Sequence, residues 1–175
     1  MIKNRTSIDD RPAIVDQKIR IGDIEGDTVI GKNQQGVIIT LVDRVSRFTF
    51  ATKAKSKHAK GVAQGIINLL KPHQHRCHTI TVDNGKEFAF HELVAKQLQV
   101  DVYFAHPYHS WERGLNENTN GLLRQYFPKK TNFKKVTEQE LQAAIFMLNH
   151  RPRKCLGYKT PFEVFYNLDI LPLKT

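Results

Sequence analysis

The strongest constraint on the fold is a change in hydrophobic period partway along the chain. Three short apolar segments near the start have the composition and spacing of β-strands: "GDTVIG" (26–31), "VIITLVD" (37–43) and "RFTFATK" (47–53). Further on the spacing becomes helical, because four apolar residues from Val62 to Leu70 fall on one helical face before Pro72. The chain therefore predicts an antiparallel meander, followed by units that contain helices.

The rest of the chain continues with strands and helices in alternation. "HTITVDNG" (78–85) and "VDVYFA" (100–105) predict two strands, each followed by a helix, the second of them from about 114 to 126. Thr137 and Glu140 have capping-box spacing at the start of a last helix. The order β-β-β-α-β-α-β-α-α predicts an α/β mixed sheet flanked by helices, with three antiparallel strands and then alternating helices and strands. This is the order found in ribonuclease H-like folds.

The 175 residues suit one domain with a sizeable core. Residues 1–20 are predicted to be an extended lead-in, because Pro12 disfavours an early helix. We expect one folded core over 21–166 and a C-terminal tail over 167–175. The sequence has no apolar run of about 20 residues that would span a membrane and no signal-like N-terminus, so we expect a cytoplasmic protein.

The chain is strongly basic, with 27 Lys and Arg against 17 Asp and Glu and a net charge of +10. Such a balance favours a polyanionic partner, because binding to phosphates releases counterions. Basic residues cluster in three segments, and the alternative is that they are solvated surface charges. The residues predicted to contact DNA phosphates from two of these segments are Lys129, Lys130, Arg151, Arg153 and Lys154.

Three carboxylates fall where this architecture brings the ends of elements together. Asp27 lies in the first strand, Asp83 ends the strand before Asn84-Gly85, and Glu117 lies in the first turns of the helix from 114. Each has an alternative. Asp23 or Glu25 shares one strand face with Asp27, Asp83 could simply form the turn, and Glu112 precedes Glu117 in "HSWERGLNENTNG" (109–121).

Three acids from three elements suit phosphoryl transfer on a nucleic-acid backbone. Two divalent ions can activate the attacking oxygen and stabilise the leaving oxygen. Mg²⁺ prefers oxygen ligands, and a few carboxylates with a substrate phosphate suffice to hold it. We therefore predict that Asp27, Asp83 and Glu117 are both metal ligands and catalytic residues, with two Mg²⁺ ions per site, for which Mn²⁺ can substitute.

The helix that carries Glu117 is predicted to present a second set of DNA contacts. Asn120, Gly121 and Arg124 share a face with Glu117, where a glycine lets a phosphate backbone approach and Arg124 can bind a phosphate. The residues predicted to face inward from this helix are Leu115, Thr119, Leu122, Leu123 and Tyr126. His109 and Trp111, just before the helix, could stack on bases, or they could belong to a packed or mobile loop.

Two further acids have a structural alternative. Glu87 begins a helix, where an acid suits the helix dipole, or it supports the metal site from outside the ligand set. Asp43 precedes Arg44 and Arg47, and a structural salt bridge is the favoured interpretation.

Five segments in order resemble the catalytic region of IS-thirty-type insertion-sequence transposases, of the integrase-core, DDE class. These are "DRPAIVDQKIRIGDIEGDTVIG", "LVDRVSRF", "TVDNGKEF", "AHPYHSWERGLNENTNGLLRQYFPK" and "LNHRPRKCLGYKTPFEVF". The resemblance covers about residues 8 to 166, and it places the acid triad of the family on Asp27, Asp83 and Glu117. One departure is Ile24, where the family usually has tryptophan.

The resemblance implies metal-dependent cutting of transposon ends and joining of the 3′-hydroxyl to target DNA. It also implies a homo-oligomer when active and association with the nucleoid through DNA. Transposases of this kind carry helix-turn-helix regions ahead of the core, so we do not expect specific end recognition from this chain alone. The alternatives are a two-metal nuclease of the same fold that only hydrolyses, and a non-catalytic DNA-binding remnant.

Overall fold

One six-stranded mixed sheet organises the chain. The computed structural model describes residues 2–54, 58–107 and 114–168. The strands are β1 (Thr6–Ser7), β2 (Asp23–Ile30), β3 (Val37–Asp43), β4 (Thr49–Lys53), β5 (Thr79–Val82) and β6 (Asp101–Phe104), in the sheet order β1-β6-β5-β2-β3-β4. β2, β3 and β4 are antiparallel neighbours, whereas the pairs β1–β6, β6–β5 and β5–β2 are parallel. The predicted meander and mixed sheet are therefore confirmed.

Helices cover both faces of this sheet. They are α1 (Ala13–Gln17), α2 (Ala59–Leu70), α3 (His91–Leu98), α4 (Gly114–Tyr126), α5 (Glu138–Asn149) and α6 (Pro161–Tyr166). Ile24 of β2 packs in a core cluster with residues of α2 and α3, while Val29 of the same strand packs with residues of α4 and α5. The alternation of side chains along a strand explains how β2 serves both cores. None of the described helices is long and apolar enough to cross a bilayer.

Capping boxes set the start of the last two helices. Thr137 Oγ1 accepts a hydrogen bond from the Glu140 backbone N–H at 3.1 Å, and Glu140 Oε2 accepts one from the Thr137 N–H at 2.8 Å. This confirms the predicted start of α5. Thr160 and Glu163 form an equivalent box at α6, with Pro161 in the first turn. Sequence reasoning missed α6, although the same spacing signals it.

Residues 1–20 are not the extended segment that Pro12 suggested. β1 adds to the edge of the sheet beside β6, and α1 starts directly after Pro12. Proline disfavours helix at the residue before it but suits a helix start, so Pro12 marks where α1 begins. Val15 and Arg11 are buried, so this segment packs against the core.

The buried face of α4 agrees with the predicted one only in part, at Thr119 and Leu123. Asn116, Thr119 and Leu123 are buried, whereas Tyr126 is exposed. The helix is turned so that a polar side chain, Asn120, meets the sheet instead of solvent. Apolar spacing alone could not reveal this, because the surface under this part of α4 is itself polar.

Candidate active site

The parallel register of β2 and β5 leads towards both Asp27 and Asp83. β2 and β5 are parallel, with Asp23 opposite Thr79 and Glu25 opposite Thr81. Continuing this register by two positions sets Asp83 opposite Asp27, and adjacent strands lie about 4.8 Å apart. In-register residues of parallel strands project to the same face. The register of β2 with β5 therefore directs two of the three predicted acids to the same end and face of the sheet.

A glycine lets the strands pack closely next to these acids. A Cβ at Gly26 would lie 3.1 Å from Val82 Cγ1 and 3.2 Å from Leu41 Cδ2. A side chain here would press on both neighbouring strands immediately before Asp27 and Asp83. The glycine of "EGD" thus serves the spacing of the strands that carry the two aspartates.

Asn120 holds the Asp27 carboxylate from above the sheet. Its Nδ2 donates to Asp27 Oδ2 at 2.8 Å, and its Oδ1 accepts from Thr40 Oγ1 at 3.2 Å. The other oxygen, Asp27 Oδ1, accepts from the Thr28 N–H at 2.8 Å. Asn120 therefore links α4 to β2 and β3 and restricts how the Asp27 side chain can rotate. Thr40 was missed by the sequence analysis, although it is the only polar residue in "VIITLV".

Glu117 lies one helical turn before Asn120 on α4 and is exposed. Residues three apart on a helix are neighbours, so Glu117 is on the side of α4 from which Asn120 reaches Asp27. Within residues 2–54, 58–107 and 114–168, no three Asp, Glu, His or Cys side chains converge closely enough to hold a metal ion. Asp27, Asp83 and Glu117, all of them described residues, therefore do not form a closed metal-binding set in this structure.

Asp83 both forms a turn and stands at the site. Its Oδ1 accepts from the Gly85 N–H at 2.8 Å, and the Asn84 side chain donates to the Ala105 carbonyl. Asp83 therefore does form the turn, as the alternative interpretation predicted. Because the turn bond fixes one carboxylate oxygen next to β2, it is compatible with a role as a ligand.

The alternatives to Asp27 on β2 are Asp23 and Glu25, which are both buried and ion-paired. Asp23 pairs with Arg20 at 2.7 Å and accepts from Thr79 Oγ1 at 2.8 Å. Glu25 pairs with Arg44 at 2.7 Å, and both side chains are buried. Asp27 is the acid at the open end of this face, which favours it over Asp23 and Glu25.

Asp43 has a structural role, though not through the predicted salt bridge. Its carboxylate accepts from the backbone N–H groups of Gly22, Val45 and Ser46 and from Ser46 Oγ. Burial raises the pKa of Asp43, and these bonds oppose the shift. The neighbouring Arg44 pairs with Glu25 instead, because β2 presents that carboxylate on the same buried face.

The Arg124 guanidinium bonds to backbone carbonyls of the protein itself. Its Nη2 donates to the Ile30 carbonyl at 3.0 Å, its Nη1 approaches two carbonyls after α4, and its guanidinium lies 5.2 Å from the Phe133 ring centre. Burial lowers the pKa of Arg124. The guanidinium joins α4 to the end of β2, so a bidentate phosphate contact would require some of these bonds to open.

The other predicted DNA contacts are distributed over the surface after α4 and α5. Lys129, Lys130, Arg151 and Lys154 are exposed. Arg153 is half-buried and donates to the Leu148 carbonyl at 3.0 Å, and burial lowers its pKa. His109, Trp111 and Glu112 lie outside the described residues, so predictions for them remain predictions.

A partly buried ionic group beside β2 was not foreseen. Arg11 donates to Thr81 Oγ1 at 2.9 Å and pairs with Asp16, and Arg44 joins Asp16 at 3.6 Å as well as Glu25. These side chains come from α1 and the residues before it, from β2 and β5, and from the turn after β3. Only the folding of the first 20 residues onto the sheet brings them together.

The six-stranded mixed sheet, with Asp27 on β2 and Asp83 directly after β5, defines a class of protein. Residues 19–110 match the family model of the integrase core domain, and the chain belongs to that family. Two solved structures share the fold. The simian T-cell lymphotropic virus intasome in complex with PP2A regulatory subunit B56 gamma has a TM-score of 0.71 and 21% identity, over 89% of this chain and 58% of that chain. The catalytic core domain of BIV integrase has a TM-score of 0.65 and 23% identity, over 83% and 94%. The predicted ribonuclease H-like fold is confirmed.

Within this class the chain is similar to insertion-sequence transposases. It is 51% identical over 164 residues to the transposase for insertion sequence element IS4351 of Bacteroides fragilis, covering 94% of this chain and 50% of the relative. It is 43% identical over 166 residues to transposase InsI for insertion sequence element IS30A of Escherichia coli strain K12, covering 93% and 43%. The resemblance stated from the motifs is confirmed. The chain spans about half the length of these relatives.

Proposed function

We propose that this chain is the catalytic core of an insertion-sequence transposase. It would cut DNA strands at the ends of the element and join the freed 3′-hydroxyl to target DNA. The observation that carries the proposal is the hydrogen bond from Asn120 of α4 to Asp27, on a strand whose parallel register with β5 leads to Asp83 when it is continued past Glu25 and Thr81. The similarity to transposases over nearly the whole chain supports it.

The donor set suits hard divalent cations. Asp27, Asp83 and Glu117 provide only carboxylate oxygens, the ligands that Mg²⁺ and Mn²⁺ prefer. Glu117 would complete the set by turning towards the two aspartates, since it is exposed on the correct side of α4. When bound, a pair of such ions activates the attacking oxygen and stabilises the leaving oxygen of a phosphodiester.

Other residues of the chain would orient Asp27, leave room for DNA or neutralise its phosphates. Asn120 keeps Asp27 oriented through two hydrogen bonds. Gly121, on the next position of α4, leaves open space where a Cβ would meet nothing within 4 Å, so DNA can come close. The exposed Lys129 and Lys130 and the basic residues after α5 would neutralise phosphates. As in the intasome to which the chain is similar in fold, we propose that the active form is an oligomer.

A strand-transfer assay tests this function. A pre-cut element end with a free 3′-hydroxyl is incubated with target DNA, Mn²⁺ or Mg²⁺ and the protein. Joined products are expected from the wild type and from Asp101→Asn, which alters an exposed acid at the start of β6. Asp83→Asn and Glu117→Gln should lose joining by at least about 100-fold, as expected when a ligand of the reacting centre is removed.

The same assay separates the alternatives. Nicked DNA without joined products from the wild type would favour a hydrolytic nuclease. Binding of DNA without metal-dependent cleavage or joining would favour a non-catalytic remnant. Full joining by Glu117→Gln would show that Glu117 is not part of the acid set.

A further inference from the structure

A fourth carboxylate, Glu87, stands next to Asp83. A Cβ at Gly85 would lie 2.5 Å from Glu87 Oε2 and 2.8 Å from Asp83 Oδ1. The two carboxylates therefore border the same small space, which the absence of a side chain at Gly85 keeps open. The backbone at Gly85, with φ −61° and ψ 137°, is one that any residue adopts, so the need for glycine here is steric.

The other oxygen of Glu87 reaches the strand that carries Asp27. Thr28 Oγ1 donates to Glu87 Oε1 at 3.1 Å, and Thr28 directly follows Asp27. Phe88 is buried against the core and fixes the short 3-10 turn from which Glu87 projects. Glu87 thus connects the turn after β5 to the end of β2.

The charges around Glu87 suit a bound cation. Among the described residues Glu87 has no ion pair with lysine or arginine, and it is half-buried beside the Asp83 carboxylate. Like charges at short range repel, and a divalent cation removes that repulsion. Glu87 also borders an open cleft of about 390 Å³ with Thr28 and Lys86, so water can reach it.

We propose that Glu87 is a positioning residue for the divalent cation at Asp83. Mg²⁺ keeps several of its waters when it binds to proteins. The Glu87 carboxylate accepts hydrogen bonds from those waters and adds negative charge, while Thr28 holds its second oxygen in place. This inference rests on the proposed function, because it requires that Asp83 is a metal ligand.

If Glu87 instead interacts with the helix dipole, the position of its carboxylate matters less. The dipole effect needs only an acid near the first turn, regardless of where its oxygens point. A role at the metal needs the Glu87 carboxylate to stay beside Asp83. Displacing the carboxylate without removing its charge therefore distinguishes the two roles.

The experiment is a calorimetric titration of Mn²⁺ into the protein mixed with a DNA end, with electron paramagnetic resonance of the bound Mn²⁺. Glu87→Gln should weaken binding about 10-fold, in the range seen for groups that support metal ligands. Gly85→Ala retains every carboxylate but displaces Glu87 from Asp83, and should weaken binding as well. Glu92→Gln, which alters an exposed acid of α3, is the matched control and should bind like the wild type.

Two further variants separate a structural effect from a metal effect. Thr28→Val removes the hydrogen bond to Glu87 but leaves the charge, so it should keep more Mn²⁺ affinity than Glu87→Gln. Asp83→Asn should abolish binding. If Asp83→Asn abolishes binding while Glu87→Gln and Gly85→Ala bind like the wild type, the role of Glu87 is refuted and the proposed function stands. If the wild type binds no Mn²⁺ even with the DNA end, both are refuted.

Discussion

The hydrogen bond from Asn120 to Asp27 gives the sharpest test of how the site is built. Asn120→Leu keeps a side chain of similar size but removes both the donor to Asp27 and the acceptor for Thr40. A hydrogen bond to a charged group contributes about 1.5–3 kcal/mol when its partner is partly shielded from water. Asp27 and Asn120 are both half-buried, so we expect the lower half of that range.

Two measurements follow from this change. The free energy of unfolding in urea should fall by about 1.5–2 kcal/mol, because the Asp27 carboxylate and the Thr40 hydroxyl each lose a partner. Affinity for Mn²⁺ should fall about 10-fold, because Asp27 is no longer held in one orientation before the ion arrives. A tenfold change corresponds to about 1.4 kcal/mol, which is consistent with the loss of one such bond.

The control is Asn118→Leu, on the same helix but exposed to solvent. It makes the same chemical change without touching the sheet, so stability and Mn²⁺ affinity should stay near the wild-type values. Wild-type Mn²⁺ affinity in Asn120→Leu would refute the claim that Asn120 orients a ligand. An equal loss in both variants would attribute the effect to α4 as a whole.

Other parts of the structure make separate predictions. Arg124→Ala should lower the free energy of unfolding by about 1–2 kcal/mol, because it removes the guanidinium that bonds to backbone carbonyls. Arg124→Lys keeps the charge, so it should lower the free energy of unfolding nearly as much if the contacts and not the charge matter. Glu25→Ala should cost about 3–5 kcal/mol because it leaves the buried Arg44 guanidinium short of its partner, and a loss below 1 kcal/mol would contradict this. Burial, with Asp43 nearby, raises the pKa of Cys77 to about 11, so at pH 8 a thiol reagent should modify only the exposed Cys155 until denaturant is added; mass spectrometry of modified peptides checks it.

The sequence by itself determined the local elements and the identity of the candidate acids. Strand alternation, the helical spacing before Pro72 and the capping box of α5 depend on residues close together in the chain, and the structure confirms them. The Asp83 turn and its Asn-Gly signal are also local. A family motif identified Glu117 without any knowledge of how α4 is oriented.

Only the tertiary structure decided how these elements meet. Asn120 lies 93 positions from Asp27 in the chain, and only the parallel pairing of β2 with β5 directs Asp27 and Asp83 to the same end of the sheet. Helical spacing placed Asn120 and Arg124 on a solvent face, yet both contact the sheet region, because the surface beneath α4 offers Asp27, Thr40 and the Ile30 carbonyl as partners. Polar contacts of this kind depend on which elements become neighbours, and that is set by packing of the whole sheet, which local periodicity does not encode.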